Sequence, residues 1–325
     1  MQLELFKQFY QSRNLPDADY RFGEQVLADA SALLFPDGDL DEINVETIDV
    51  ILDSFKHQNR LDVKVFIALM RYFRLIKRHD LFIRLTQYTG GIGVVENILK
   101  RAKERLGDEV DVLGDLTIPP LGTNPKDLSG FTSAFMKRLF KLTDALTIQL
   151  ILAGNNHGIP IQAFDQEKKF YQESISFQEY LKHLHERKVL ELIDHYAKQT
   201  VWFEQEVTKE MIDFVKNNQE ILSGVLEGDL LYQTKIPYDT NRYLQAKTKT
   251  EQAYYACHCP FAREAIKKND YSISPLWCYC SAGFEKVLFE VIFNQPLPIT
   301  CVNSVLKGDE FCRFAIDLSQ VDYKK

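Results

Sequence analysis

Pro298-Ile299-Thr300-Cys301-Val302-Asn303-Ser304-Val305-Leu306 and Phe311-Cys312-Arg313-Phe314-Ala315-Ile316-Asp317-Leu318 flank the tetrapeptide Lys307-Gly308-Asp309-Glu310. Two apolar, β-rich runs around a Gly-Asp turn predict a hairpin. Just upstream, Ser281 to Phe293 sets Phe284, Val287, Leu288, Val291 and Ile292 on one face of a helix. Further upstream, Val225-Leu226 and Leu230 to Ile236 flank Glu227-Gly228-Asp229 and predict a second hairpin. Gln252 to Cys257 reads as a strand, and Pro260 opens a short helix that runs to Lys268. An α/β module with a mostly antiparallel sheet follows from these elements.

Toward the N-terminus the period changes. Phe55, Val63, Phe66, Ile67, Met70, Phe73 and Leu75 recur at three- and four-residue spacing, so residues 1–112 predict an all-helical domain. Asn44 stands as an N-cap before Val45-Glu46-Thr47, and Gly90, Gly91 and Gly93 separate one helix from the next, Val94 to Arg105. Residues 113–128 hold Gly114, Pro119, Pro120, Gly122 and Pro125 and read as a linker. The module then occupies 129–325, with a helical lead-in. Phe131 to Ala153 reads as one helix, and Gly154-Asn155-Asn156-His157-Gly158 as the loop that ends it. Ser176 to Thr200 and Thr208 to Asn218 are further helices. The overall class is α+β.

Composition narrows the function. Hydrophobic residues at 45% and charged residues at 26% are ordinary for a globular protein, and 22 Phe with 15 Tyr fill a core easily. No run of about twenty apolar residues predicts a membrane span. The start, Met1 to Lys7, carries Glu4 early and does not read as a signal peptide, so a cytoplasmic location is expected. Net charge is −7, which argues against nucleic acid as the main partner. Residues 54–106, however, carry twelve Lys and Arg against four Asp and Glu. Within them, Arg71 to His79 alternates charge with apolar residues; the helical period accounts for that pattern, and a solvated or docked basic face is the simpler reading. A homodimer is left open. No phosphate loop, dinucleotide fingerprint or Ser-His-Asp order is present.

All six cysteines lie between Cys257 and Cys312. Clustering of this kind points to metal binding, redox chemistry or a nucleophile, because a cytosolic chain keeps its thiols reduced. Cys257-His258-Cys259-Pro260 and Cys278-Tyr279-Cys280 place Cys259 and Cys280 at expected helix starts, where the positive helix end lowers a thiol pKa. Cys-x-Cys is not the Cys-x2-Cys of a zinc ribbon, and in a strand its two side chains point to opposite faces. The alternative is that several are small buried hydrophobes. His183 and His185, two apart on a helix, do not share a face and read as surface or cap residues.

The stretch Trp277 to Leu318, with Cys278, Gly283, Cys301 and Ser304-Val305-Leu306-Lys307-Gly308-Asp309-Glu310-Phe311-Cys312-Arg313-Phe314, resembles the C-terminal part of 4-vinyl reductase domains. These are small-molecule sensor and accessory modules. In aromatic-sensing members zinc is held by Cys, Glu, Cys and Cys, at a spacing that falls here on Cys278, Cys301, Ser304 and Cys312. Ser304 is a poor zinc ligand, so the resemblance implies that Cys259 or Cys280 supplies the fourth. Cys259-Pro260-Phe261-Ala262 with Gly308-Asp309 and Cys312 is also similar to the L-2-amino-thiazoline-4-carboxylic acid hydrolase family. That likeness implies a cysteine nucleophile such as Cys259, with Arg263 and Glu264 binding a carboxylate and handling protons. A solvated helix face accounts for Arg263 and Glu264 more simply. The leading expectation is a small-molecule-binding or sensing protein. Its metal, zinc, is held by Cys278, Cys312 and two of Cys257, Cys259, Cys280 and Cys301. The alternative is a cysteine- or metal-dependent hydrolase of a small cyclic amide-like compound.

Overall fold

The computed structural model describes residues 1–34, 39–113, 116–270 and 272–325; Gly114 of the expected linker lies outside them. The chain divides into two compact units, residues 1–90 with 119–125, and residues 91–118 with 126–325.

The first unit is helical: α1 (Leu3–Ser12), α2 (Asp17–Ala32), α3 (Val45–His57), α4 (Val63–Leu75) and α5 (His79–Thr89). Asn44 accepts from the Thr47 N–H and Asp62 from the Val65 N–H, so two starts are capped by side chains. Of the expected stripe Phe55, Phe66 and Phe73 are buried, whereas Val63 and Ile67 are exposed and Leu69 and Tyr72 complete the buried face of α4. The basic stretch is engaged within this unit. Arg71 donates to Tyr10 Oη at 3.0 Å, and Arg78 donates to the Asp41 and Ile43 carbonyls, each at 2.5 Å.

The second unit contains α6 (Val94–Leu106), α7 (Leu128–Leu142), α8 (Ala145–Leu152), α9 (Asp165–Glu173) and α10 (Phe177–Lys198). A short hairpin, β1 (Val201–Trp202) with β2 (Gln205–Glu206), leads to α11 (Lys209–Lys216). Then come β3 (Val225–Glu227), β4 (Leu230–Thr234), α12 (Thr240–Gln245), α13 (Lys249–Ala256), α14 (Arg263–Lys267), α15 (Tyr279–Phe293), β5 (Ile299–Asn303) and β6 (Arg313–Asp317). The four-stranded sheet has the order β3-β4-β6-β5, antiparallel throughout. Both expected hairpins are present. Cys301 pairs with Phe314, and a register irregularity follows before Asn303 pairs with Arg313.

The domain boundary differs from the expected cut at residue 112. Pro and Gly density marks a loop, but the burial of Val94, Val95, Ile98 and Ala102 in the core of the second unit decides where α6 belongs. Residues 119–125 return to the first unit, where Leu61 packs over Gly122. Phe131 to Ala153 is two helices, because Asp144 caps α8 by accepting from the Thr147 N–H. Gln252 to Cys257 is not a strand but the body of α13, which opens with a capping box of Thr248 and Glu251.

One face of the sheet and α15 share a core of Phe177, Tyr180, Leu184, Leu231, Phe289 and Ile316. Each large side chain of this kind contributes ~1.5–3 kcal/mol on burial. His185 is buried in α10 and its Nε2 meets the Val215 carbonyl of α11 at 2.9 Å, so it is neither a surface nor a cap residue. Among the described residues no helix is long and apolar enough to cross a membrane.

Candidate functional site

The six thiols meet in one core of the second unit, together with Phe135, Leu139, Trp277 and Phe314. Cys257 follows α13, Cys259 lies in the turn before α14, and Cys278 closes the 3₁₀ turn Pro275–Cys278. Cys280 sits in the first turn of α15, Cys301 in β5, and Cys312 just before β6. All six are free, and all but Cys259 are buried.

The positions aligned with the zinc ligands converge. Ser304, fully buried, donates its hydroxyl to Cys278 Sγ at 3.0 Å, and the Cys278 thiol donates to Cys312. Cys301 lies near both sulfurs and gives its own proton to the Asn303 carbonyl at 3.3 Å. The remaining thiols are engaged elsewhere. Cys257 reaches the Cys259 carbonyl, Cys259 Sγ accepts from Trp277 Nε1 at 3.2 Å, and Cys280 Sγ faces His157 Nε2 at 3.9 Å. Neither Cys259 nor Cys280 joins Cys278 and Cys312. Among the described residues no group of three or more His, Cys, Asp or Glu is arranged to hold a metal ion. A tetrahedral sulfur set is therefore not assembled. Where the sensors have a third ligand, Ser304 donates a hydrogen bond to sulfur.

The thiols are not activated in the expected way. Burial pushes Cys257 and Cys259 up, and Cys280 and Cys301 up to about 12. The helix-end argument fails for two local reasons. For Cys259, burial outweighs the Trp277 bond and the Phe261 and Ala262 backbone N–H groups that its sulfur accepts, and at Cys280 the 3₁₀ turn before α15 already occupies the Tyr279 N–H. The hydrogen bond between Cys278 and Cys312 raises the pKa of Cys278 and lowers that of Cys312.

Arg263 is not on a solvated face. It is 5% exposed, its guanidinium lies 4.1 Å from the Tyr238 ring centre and 5.6 Å from that of Tyr254, and Cys257 is beside it. Its Nε has no hydrogen-bond partner, and among the described residues no carboxylate pairs with it. Glu264 is half-buried and accepts from Tyr254 Oη at 3.0 Å. A buried guanidinium without an acid is costly, because the charge has lost its water.

A second set of polar groups was not singled out by the sequence. The Gly154–Gly158 loop carries Asn156 and His157. Asn156 is fully buried, its Nδ2 donates to the Leu152 carbonyl at 2.6 Å, and its Oδ1 has no partner. The exposed His157 packs edge-on against Phe284, and partial desolvation of its ring with the nearby charge of Lys235 lowers its pKa. Lys235 itself pairs with Glu285 at 2.7 Å and covers the Phe284 ring. His258 hydrogen-bonds the Ile236 carbonyl at 2.7 Å, with Glu204 3.9 Å from its other nitrogen. Near this group a cleft of about 250 Å³ is lined by Phe214, Thr234, Lys235, Pro237, Tyr243 and Phe311, among others. The only sequence signal for the loop was a pair of glycines around two Asn and a His, which also describes an ordinary helix end.

A family described as a family of unknown function (DUF6144) matches residues 238–322, the segment that contains every cysteine and Arg263. No 4-vinyl reductase or hydrolase family matches. No curated protein and no solved structure matches the chain.

Proposed function

We propose that the second unit is a small-molecule-binding module whose ligand carries a carboxylate or comparable anion, taken by Arg263. The observation that carries this reading is the guanidinium itself: 5% exposed, stacked on Tyr238, and without an acidic partner. A bound anion would supply the missing counter-charge and the bidentate acceptor that a guanidinium favours. The resemblances to 4-vinyl reductase domains and to the thiazoline carboxylate hydrolases support the same ligand class, small and in the second case carboxylated.

The test is thermal unfolding against acetate, pyruvate, benzoate and inorganic phosphate. At least one should raise the midpoint saturably, and the rise should disappear in Arg263→Met. No shift with any of them in the unmodified protein would end the reading.

A second reading is zinc, favoured by the convergence of positions 278, 301, 304 and 312. It needs side-chain rearrangement to complete a four-donor set. About one zinc per chain after purification without added metal, lost in Cys278→Ser, would establish it; metal-free protein would remove it.

A further inference from the structure

We propose that the outer face of α10 seats a second copy of this chain, antiparallel to the first across a twofold axis that passes between Leu190 and Ile193. The helix already buries one apolar face. Tyr180, Leu181 and Leu184 enter the core shared with the sheet and α15, and Val189 and Leu192 pack with Trp202, Val207 and Met211. Those contacts account for its place in the fold. They leave Leu190 63%, Ile193 44% and Tyr196 39% exposed, with Ala197 exposed beside them.

One exposed leucine is ordinary, but these positions are not scattered. Glu186, Leu190, Ile193 and Ala197 follow one another at four, three and four residues, and so line a single stripe. Alternating threes and fours form the seam along which two helices pack. A helix that is apolar on its outer side as well as its inner one has the pattern of an element held between two neighbours.

The charges on the stripe indicate which neighbour. With a uniform rise per residue, an antiparallel pair centred between positions 191 and 192 sets Leu190 level with Ile193 of the copy. Glu186 then lies level with Ala197 of the copy, one residue from Lys198. The exposed Glu186 and Lys198 therefore meet twice, once on each side of the axis. A parallel pair would set each of these charges against itself, which is repulsive. Within one chain Lys198 has only the exposed Asp194, at 2.7 Å, and among the described residues Glu186 has no ion-pair partner. The face is thus complementary to itself. One helix pair is a small contact, so the dimer is a weak one. Neither Arg263 nor any thiol takes part, and the proposal stands separately from anion binding.

Sedimentation velocity of the full chain, from low to high micromolar concentration, provides the test. The mass should rise from that of one chain, 37.7 kDa, toward that of two. Leu190→Glu and Ile193→Glu, both at exposed positions and checked for native circular dichroism, should each weaken the dimer about 10-fold or more. Glu186→Lys and Lys198→Glu should each weaken it, and the double swap, which restores both pairs in reverse, should recover most of the loss. Merely structural damage would add in the double variant instead of cancelling. A chain that stays single at every concentration would overturn the proposal and leave this face to a different protein. A dimer indifferent to Leu190→Glu and Ile193→Glu, or a double swap no tighter than the single ones, would overturn it as well.

Discussion

Gly283 and Gly154 touch backbone to backbone: a methyl group at 283 would lie 2.3 Å from the Gly154 oxygen and 2.7 Å from the Ala153 carbonyl carbon. Both obstacles are main chain, so neither can swing aside. Gly283→Ala should cost ~2 kcal/mol or more, within the range of overpacking. Denaturant unfolding checks this, and an unchanged midpoint would mean that the helix and loop are not held at this distance.

Arg263→Met offers the opposite sign. In the absence of ligand the guanidinium contributes cation–π contacts of ~0.5–2 kcal/mol with Tyr238 and Tyr254, set against a desolvation penalty of several kcal/mol. The methionine variant should be more stable by about 1 kcal/mol or more. A loss of stability would show that the charge already has its compensation within the protein.

Glu220 accepts from Arg313 at 2.6 and 2.8 Å and from Thr234 Oγ1 at 2.6 Å, and these bonds hold its carboxyl below the ordinary 4.5. A carboxylate depressed in the folded state stabilises fully above its unfolded pKa and ceases to do so as pH falls through the folded value. Stability should therefore decline below about pH 4.5. Glu220→Gln should lose ~1 kcal/mol at pH 7 and show a flatter acid limb. Equal acid limbs in the two proteins would count against the pair.

Thiol accessibility gives a fourth prediction. Five of six cysteines are buried, and burial raises the pKa of most. A disulfide reagent at neutral pH should modify no more than one thiol quickly in the native protein and all six in denaturant. Rapid loss of several native thiols would show that this core opens.

The sheet hairpins and α15 were legible because alternation, a Gly-Asp turn and a 3.6 period each appear in one short window. Residues 252–257 form a helix and not the expected strand, and the local mark of that helix is Thr248 with Glu251 three residues on. Cys-x-Cys was expected to split its sulfurs between faces, and Cys278 and Cys280 do reach different partners. They do so at the entry to a helix rather than in a strand. Arg263 was unreadable, since nothing local distinguishes a guanidinium on a solvated helix from one that packs under two tyrosines distant in sequence or a turn away. The Cys280–His157 approach joins positions 123 apart, and only tertiary packing brings them together.

The strand order carries a consequence for synthesis. β4 pairs with β3 across a tight turn, but its other edge waits for β6, whose residues are made about eighty positions later. Until Arg313–Asp317 emerge, Leu230–Thr234 presents an open row of amides and carbonyls, the kind of edge at which chains stick to one another. Yield at high expression rate should thus be limited by this interval, and a chaperone that shields nascent β edges would help more than one that acts on the finished protein.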